Sequence, residues 1–174
     1  MPQIGTETCV PRRYSARTIL LQRWLAVAEG VGVGTFGTGP FSSDGALDFL
    51  EELAERPPEQ HLDALRHMLT FVLTNRSLLW QEFFPDQIVA AVALVAAALP
   101  GGEHLQHRLA ELSDETDLAT LPAPAPDLAA PALEALLFVA GPGGPWHQGW
   151  TTEASRADAR RTTDDLITIL RAAI

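Results

Sequence analysis

The 174-residue sequence contains no lysine and only one cysteine, Cys9. A single cysteine cannot form an internal disulfide, which is typical of a reducing compartment, so we expect a cytoplasmic protein. Long hydrophobic runs are also lacking: the longest, Ile88 to Leu99, has 12 residues, and a membrane-spanning helix needs about 20. We therefore expect no transmembrane helix and no membrane partner. Arginine used to the exclusion of lysine, with abundant alanine, indicates a GC-rich bacterial genome.

Positive charge is scarce and unevenly distributed. The chain has 12 basic and 22 acidic residues, for a net charge of -10. Residues 1–34 hold four arginines and two glutamates, which leaves a net charge of -12 on residues 35–174. Such an acidic body repels phosphate backbones and attracts cationic surfaces. The charge thus predicts no nucleic-acid binding and favours a basic protein partner.

The first 33 residues differ in composition from the rest of the chain. Their periodicity predicts a short amphipathic helix from Thr18 to Glu29. Two interpretations stay open: an accessory extension, or a mis-assigned start with translation beginning near Val33. An export signal is disfavoured, because Gln22 and Arg23 interrupt its apolar core. We therefore divide the chain into an N-terminal extension, residues 1–33, and a single domain, residues 34–174.

Helical periodicity dominates this domain, and no alternating strand pattern occurs. Apolar residues recur at helical spacing over residues 44–55, 59–75, 87–99, 103–112, 132–139 and 151–174. The third of these segments is apolar on nearly all sides, so it should form the buried centre. Thr162 and Asp165 have the spacing of a capping box for the second half of the last segment. We predict an all-α fold, a single compact bundle of about five or six helices.

Glycine and proline concentrate in three segments that we predict to be loops. Gly30 to Pro40 holds five glycines and forms a Gly-rich N-terminal loop. Residues 113–131 turn acidic and then alternate proline with alanine, which predicts an exposed Pro-rich connector in extended conformation. Residues 141–149 form a Gly/Pro loop that carries Trp146 and runs into Trp150.

The letters G-x-G-x-x-G occur at residues 32–37. A dinucleotide-binding turn with these letters needs a strand before its first glycine and a helix at its third. Here Pro40 follows and the helix begins only near Asp44, so we predict no cofactor.

Histidines supply the nearest approach to a metal site. His104 and His107 stand three residues apart on a predicted helix and could place two nitrogens on one side of it. No further ligand cluster accompanies them, so we favour a solvated helix face and predict no metal. His61 and His67 lie on the largely polar side of another helix and are also predicted to be exposed.

Catalytic chemistry has no candidate constellation, because the sequence lacks a G-x-S-x-G nucleophile turn and Cys9 lies in the extension. Candidate binding groups are aromatic side chains of the loops and two carboxylates at the start of the first helix. They are Phe36, Phe41, Asp44, Asp48, Trp146 and Trp150. Helix capping and the helix dipole explain the two carboxylates without any function. Packing at the open end of the bundle is the favoured explanation for the two tryptophans.

Residues 34–49 read G-T-F-G-T-G-P-F-S-S-D-G-A-L-D-F. They resemble the opening signature of the bacterial domain of unknown function 4259 family, G-x-W-G-x-G-P-F followed by Asn-Asp and then A-x-D-W or A-x-D-F. The similarity continues more loosely over residues 90–101 and 132–142. Phe36, Ser43 and Ala93 depart from the pattern, which has tryptophan, asparagine and a central glutamate there. The resemblance implies the family fold over residues 34–174 and, since the family has no established activity, no particular function.

The sequence thus favours a non-enzymatic, acidic helical module that binds a basic protein, as immunity proteins and antitoxins do. The alternative is an enzyme or a small-molecule-binding protein that uses the Gly-rich loop with Asp44 and Asp48.

Overall fold

The computed structural model describes residues 37–113 and 126–174. The predicted extension over residues 1–33, the candidate residue Phe36 and all but the two ends of the predicted connector lie outside the described residues. The described part is 78% helical and contains no strand.

Six helices of eleven or more residues form the described fold. They are α1 (Asp44–Ala54), α2 (Pro58–Thr74), α3 (Pro85–Ala97), α4 (Glu103–Ser113), α5 (Ala129–Ala140) and α6 (Glu153–Ala172). Single α-helical turns occur at Leu79–Glu82 and Pro145–Gln148, and 3-10 turns at Arg76–Leu78 and Pro126–Leu128. The predicted all-α bundle is confirmed.

Local sequence explains where these helices begin. The Ser43 hydroxyl accepts a hydrogen bond from the Ala46 N–H at 3.1 Å and so caps α1. Proline occupies the first position of α2 and of α3, where its missing N–H has no intrahelical partner to lose. Thr152 caps α6 by accepting from the Ser155 N–H at 3.1 Å.

Helix α3 lies at the centre of the bundle. Every residue from Ile88 to Ala97 is at most 5% exposed, because the helix is apolar on all of its faces. The other five long helices all pack against it. Alanine supplies much of its surface, which allows its neighbours to approach its backbone closely. The prediction of a buried central helix is confirmed.

Two sequence predictions about helix limits are wrong. The connector was expected to extend to Pro131, but α5 already begins at Ala129. Pro131 therefore lies in the first turn of α5, where no i−4 carbonyl is available for its absent N–H. The capping box predicted for Thr162 and Asp165 does not form a boundary, since α6 runs uninterrupted through both residues.

Within residues 37–113 and 126–174, one helical stretch is long and apolar enough to cross a membrane by length and composition. It spans Pro126–Gln148, includes α5, and is 44% buried within the fold. Residues 76–97 also meet that criterion when Arg76–Glu82 and Pro85–Ala97, which form an angle of 97°, are counted together. In the bundle the inward face of α5 packs against α2, α3 and α6.

Candidate functional site

Hydrogen bonds of Ser43, which follows the Gly-rich sequence, connect the start of α1 to the start of α3. The Ser43 hydroxyl donates to Asp86 Oδ2 at 2.9 Å while it caps α1. The other oxygen of Asp86 accepts from the Gln87 N–H at 3.1 Å. The Gln87 side chain in turn accepts from the Phe84 N–H at 2.9 Å, which completes the cap of α3. One carboxylate therefore lies where two helix N-termini meet, and both helix dipoles favour its negative charge.

Gly45 is required at this junction by close approach. A Cβ atom at this position would overlap the Asp86 carboxylate. Gly37 has a φ of +93°, a left-handed conformation that favours glycine. The same loop is tied to α6, because the Thr162 hydroxyl donates to the Thr38 carbonyl oxygen at 2.8 Å. Ser43 and Gly45 thus have a direct structural explanation in the contact with Asp86.

Of the candidate residues in this region, Phe41 is only 5% exposed and belongs to the hydrophobic core. Asp44 and Asp48 are exposed on α1. Helix α1 packs against α2 and α3, and its outer side faces solvent. The two carboxylates therefore form a surface feature, separate from the buried phenylalanine.

Four carboxylates lie along the exposed side of α1 and its C-cap, Glu55. Asp44, Asp48, Glu51 and Glu55 follow one another at spacings of four, three and four residues, which places them on one helical face. All four are exposed, and we call them the α1 acidic face. The neighbouring Glu52 forms an ion pair with Arg56 at 2.7 Å. Only Asp44 and Asp48 were predicted as candidate binding residues, although the same helical spacing identifies Glu51 and Glu55.

Trp146 and Trp150 are buried, at 4% and 5% exposure. Their rings meet edge to face, with centroids 5.3 Å apart and an interplanar angle of 81°. The helical turn that carries Trp146 packs against α3, α5 and α6. These two side chains therefore contribute to the core, whereas Asp44 and Asp48 face solvent on a different helix.

Buried nitrogens concentrate around these tryptophans. Within the described residues, four buried side-chain nitrogens have no hydrogen-bond partner: His61 Nδ1, Trp146 Nε1, His147 Nδ1 and Trp150 Nε1. The opposite nitrogen of His147 donates to the Ala140 carbonyl oxygen at 2.8 Å. In the neutral imidazole this bond leaves Nδ1 as a lone-pair acceptor.

The histidine predictions have mixed outcomes. His67 is exposed as expected, but His61 is fully buried, and the prediction for it is wrong. Its Nε2 donates to the Arg56 carbonyl oxygen at 2.7 Å, which satisfies a backbone group at the end of α1. The prediction followed from the polar character of histidine and of that side of α2. In the structure, packing against α1 covers this position.

His104 and His107 lie on the exposed surface of α4. His104 Nε2 is 2.8 Å from Asp165 Oδ2, and both side chains are about half exposed. His107 approaches Glu111 at 3.9 Å. The described residues contain no group of three potential metal ligands. Glu103 lies at the start of the same helix. Its carboxylate accepts hydrogen bonds from the Glu103 N–H and from the Gly101 N–H, and these bonds lower the pKa of Glu103.

Replacement of Gly45 tests the junction. Alanine is favoured over glycine within a helix by about 1 kcal/mol. In Gly45→Ala, however, the new methyl group displaces the Asp86 carboxylate and breaks its bond to Ser43, which costs about 1.5–3 kcal/mol. We expect a net loss of about 1 kcal/mol in the free energy of unfolding, measured by urea denaturation. In an Asp86→Ala background the same replacement should be neutral or stabilising. An equal effect in both backgrounds would contradict the junction.

Replacement of Trp146 tests whether the tryptophans act through packing. We expect Trp146→Ala to lose about 3–5 kcal/mol of unfolding free energy, because it leaves a cavity in the core. Trp146→Phe should lose less than half as much, since the indole N–H makes no hydrogen bond within the described chain. Equal losses in the two variants would show that the N–H has an essential partner and would contradict a packing role.

Comparison with known proteins assigns a family. No curated protein and no solved structure matches this chain. The model of the family described as "Domain of unknown function (DUF4259)" matches residues 34–162, most of the chain. The match starts at the residue where the resemblance in sequence was expected to start. The chain therefore belongs to the DUF4259 family.

Proposed function

We propose that this protein is a non-enzymatic binding module whose α1 acidic face receives a basic protein partner. The carrying observation is the placement of Asp44, Asp48, Glu51 and Glu55 on one exposed side of one helix. No basic residue occurs between Gly37 and Glu55, and Arg56, which follows directly, forms its ion pair with Glu52 at 2.7 Å.

Helix stability explains the carboxylate at the start of α1 but not the two glutamates at its other end. Asp44 lies in the first turn of α1, where the helix dipole favours a negative charge. Glu51 and Glu55 lie at the opposite end, where the dipole disfavours it, and the last turn of α1 contains no basic residue. Like charges four residues apart also destabilise a helix by a few tenths of a kcal/mol per pair. A charge pattern that destabilises the helix supports the proposal that these carboxylates serve binding.

The charge of the whole domain supports the same proposal. Residues 35–174 have a net charge of -12, which raises the association rate with a cationic surface and lowers it with an anionic one. Masking of a basic partner is the activity of immunity proteins and antitoxins, and we propose a role of that kind in the cytoplasm. Nucleic acid is disfavoured as a partner on the same electrostatic ground.

Affinity capture from the native host tests the proposal. The tagged protein should retain one basic protein in near-stoichiometric amount at low salt and release it at high salt, because screening weakens contacts between exposed charges. The double variant Glu51→Gln/Glu55→Gln should weaken binding of that partner by about tenfold. Titration of the purified partner against each variant at several salt concentrations measures this change and its salt dependence.

A matched control removes the same two charges elsewhere. Glu111 and Glu153 are exposed glutamates on α4 and α6, and Glu111→Gln/Glu153→Gln should bind nearly as the unmodified protein does. Equal weakening by both double variants would show that net charge, and not the α1 acidic face, determines binding. Capture that is insensitive to salt, or no captured partner at either salt concentration, would contradict the proposed function.

A further inference from the structure

Among the phenylalanine and tryptophan side chains of the described residues, Trp80 is the most exposed, with 56% of its surface accessible. Its ring contacts the ring of Phe84 edge to face, with centroids 6.1 Å apart. Leu78, two residues earlier, is 38% exposed. The aromatic pair, Trp80 and Phe84, thus forms an apolar surface at the turn between α2 and α3. By contrast, Trp146 and Trp150 are both buried in the core.

A short series of bonded and adjacent residues links this aromatic pair to the α1 acidic face. Phe84 immediately precedes α3, and Asp86, two residues further on, accepts the hydrogen bond from Ser43 at 2.9 Å. The residue after Ser43 is Asp44, the first of the four carboxylates. Glu82, which is exposed and stands between the two aromatic residues in sequence, adds a further negative charge. At this corner of the bundle, an apolar ring and the Glu82 carboxylate thus belong to one exposed segment that Asp86 and Ser43 connect to the start of α1.

A partner suited to this corner must offer both apolar and cationic groups. Arginine does so in one side chain: its planar guanidinium stacks on an aromatic ring, its aliphatic stem covers apolar surface, and its N–H groups donate to carboxylates. The chain already contains one such arrangement. The Arg76 guanidinium lies 4.9 Å from the centroid of the Phe138 ring and 3.4 Å from a carboxylate oxygen of Glu134.

We infer that Trp80 is the anchor of the interface with the basic partner, and that it receives an arginine side chain of that partner. The inference rests on the proposed function and specifies its partner more closely. Lysine fits less well, because its ammonium group is more strongly hydrated and cannot stack as a plane. The acidic face then supplies long-range attraction, and Trp80 supplies selectivity for arginine at short range.

Two synthetic probes test this inference, fluorescently labelled oligoarginine and oligolysine peptides of equal length and charge. Titration at low salt, followed by fluorescence anisotropy, should show that the unmodified protein binds oligoarginine roughly two- to fivefold more tightly than oligolysine. Trp80→Ala should abolish this preference by weakening only oligoarginine. Trp80→Phe, which keeps an aromatic ring of weaker quadrupole, should leave an intermediate preference. Far-ultraviolet circular dichroism should show all variants folded, since Trp80 is mostly exposed.

Two control variants separate this inference from the proposed function. Ile174 is also exposed, at 69%, and Ile174→Ala should keep the arginine preference. Glu51→Gln/Glu55→Gln should weaken both peptides alike and keep the preference as well. An unchanged preference in Trp80→Ala would overturn the arginine anchor while leaving the proposed function intact, and so would equal weakening of both peptides. If neither peptide binds the unmodified protein at low salt, the proposed function fails and the anchor with it.

Discussion

The fold depends on the burial of one helix that is apolar on every side. Helix α3 has no polar face to turn toward solvent between Ile88 and Ala97, so its burial requires neighbours all around it. The other five long helices provide this cover, and each contributes its own apolar stripe. Asp86, one residue after the proline that opens α3, then fixes the position of α1 through Ser43. Burial of this one apolar helix thus organises the bundle. The Asp86 carboxylate, near the start of α3, positions α1, the helix that carries the acidic face.

Residue periodicity was sufficient to predict this organisation, because amphipathic and fully apolar helices differ plainly in sequence. It predicted the central position of α3 and the start of α1 near Asp44. It failed where a contact distant in sequence decides the environment of a residue. His61 was expected to be exposed but is covered by the end of α1, and its hydrogen bond to Arg56 depends on that packing. Thr162 was expected to begin a helix but lies within α6, where its hydroxyl binds the loop at Thr38.

The candidate residues divide into apolar side chains, which are buried, and charged side chains, which are exposed. Phe41, Trp146 and Trp150 are large apolar side chains, and the core buries them. Asp44 and Asp48 are charged, and the surface exposes them together with Glu51 and Glu55. The sequence alone could not indicate that Trp80 would stay exposed, because burial of a tryptophan depends on which neighbouring helix covers it. The proposed interaction follows from this exposed ring, from Glu82 two residues away, and from the link through Asp86 and Ser43 to the start of the α1 acidic face.

The proposed binding role depends on the claim that the α1 acidic face weakens the fold and does not support it. Comparison of unfolding free energies by urea denaturation at low salt tests it most directly. Glu51→Gln/Glu55→Gln should be more stable than the unmodified protein by about 1 kcal/mol, because it removes repulsion between like charges and an unfavourable interaction with the helix dipole. Glu111→Gln/Glu153→Gln should show no gain, since it removes surface ion pairs with Arg108 and Arg156. A loss of stability in the α1 variant would show that these carboxylates support the fold and would contradict the claim.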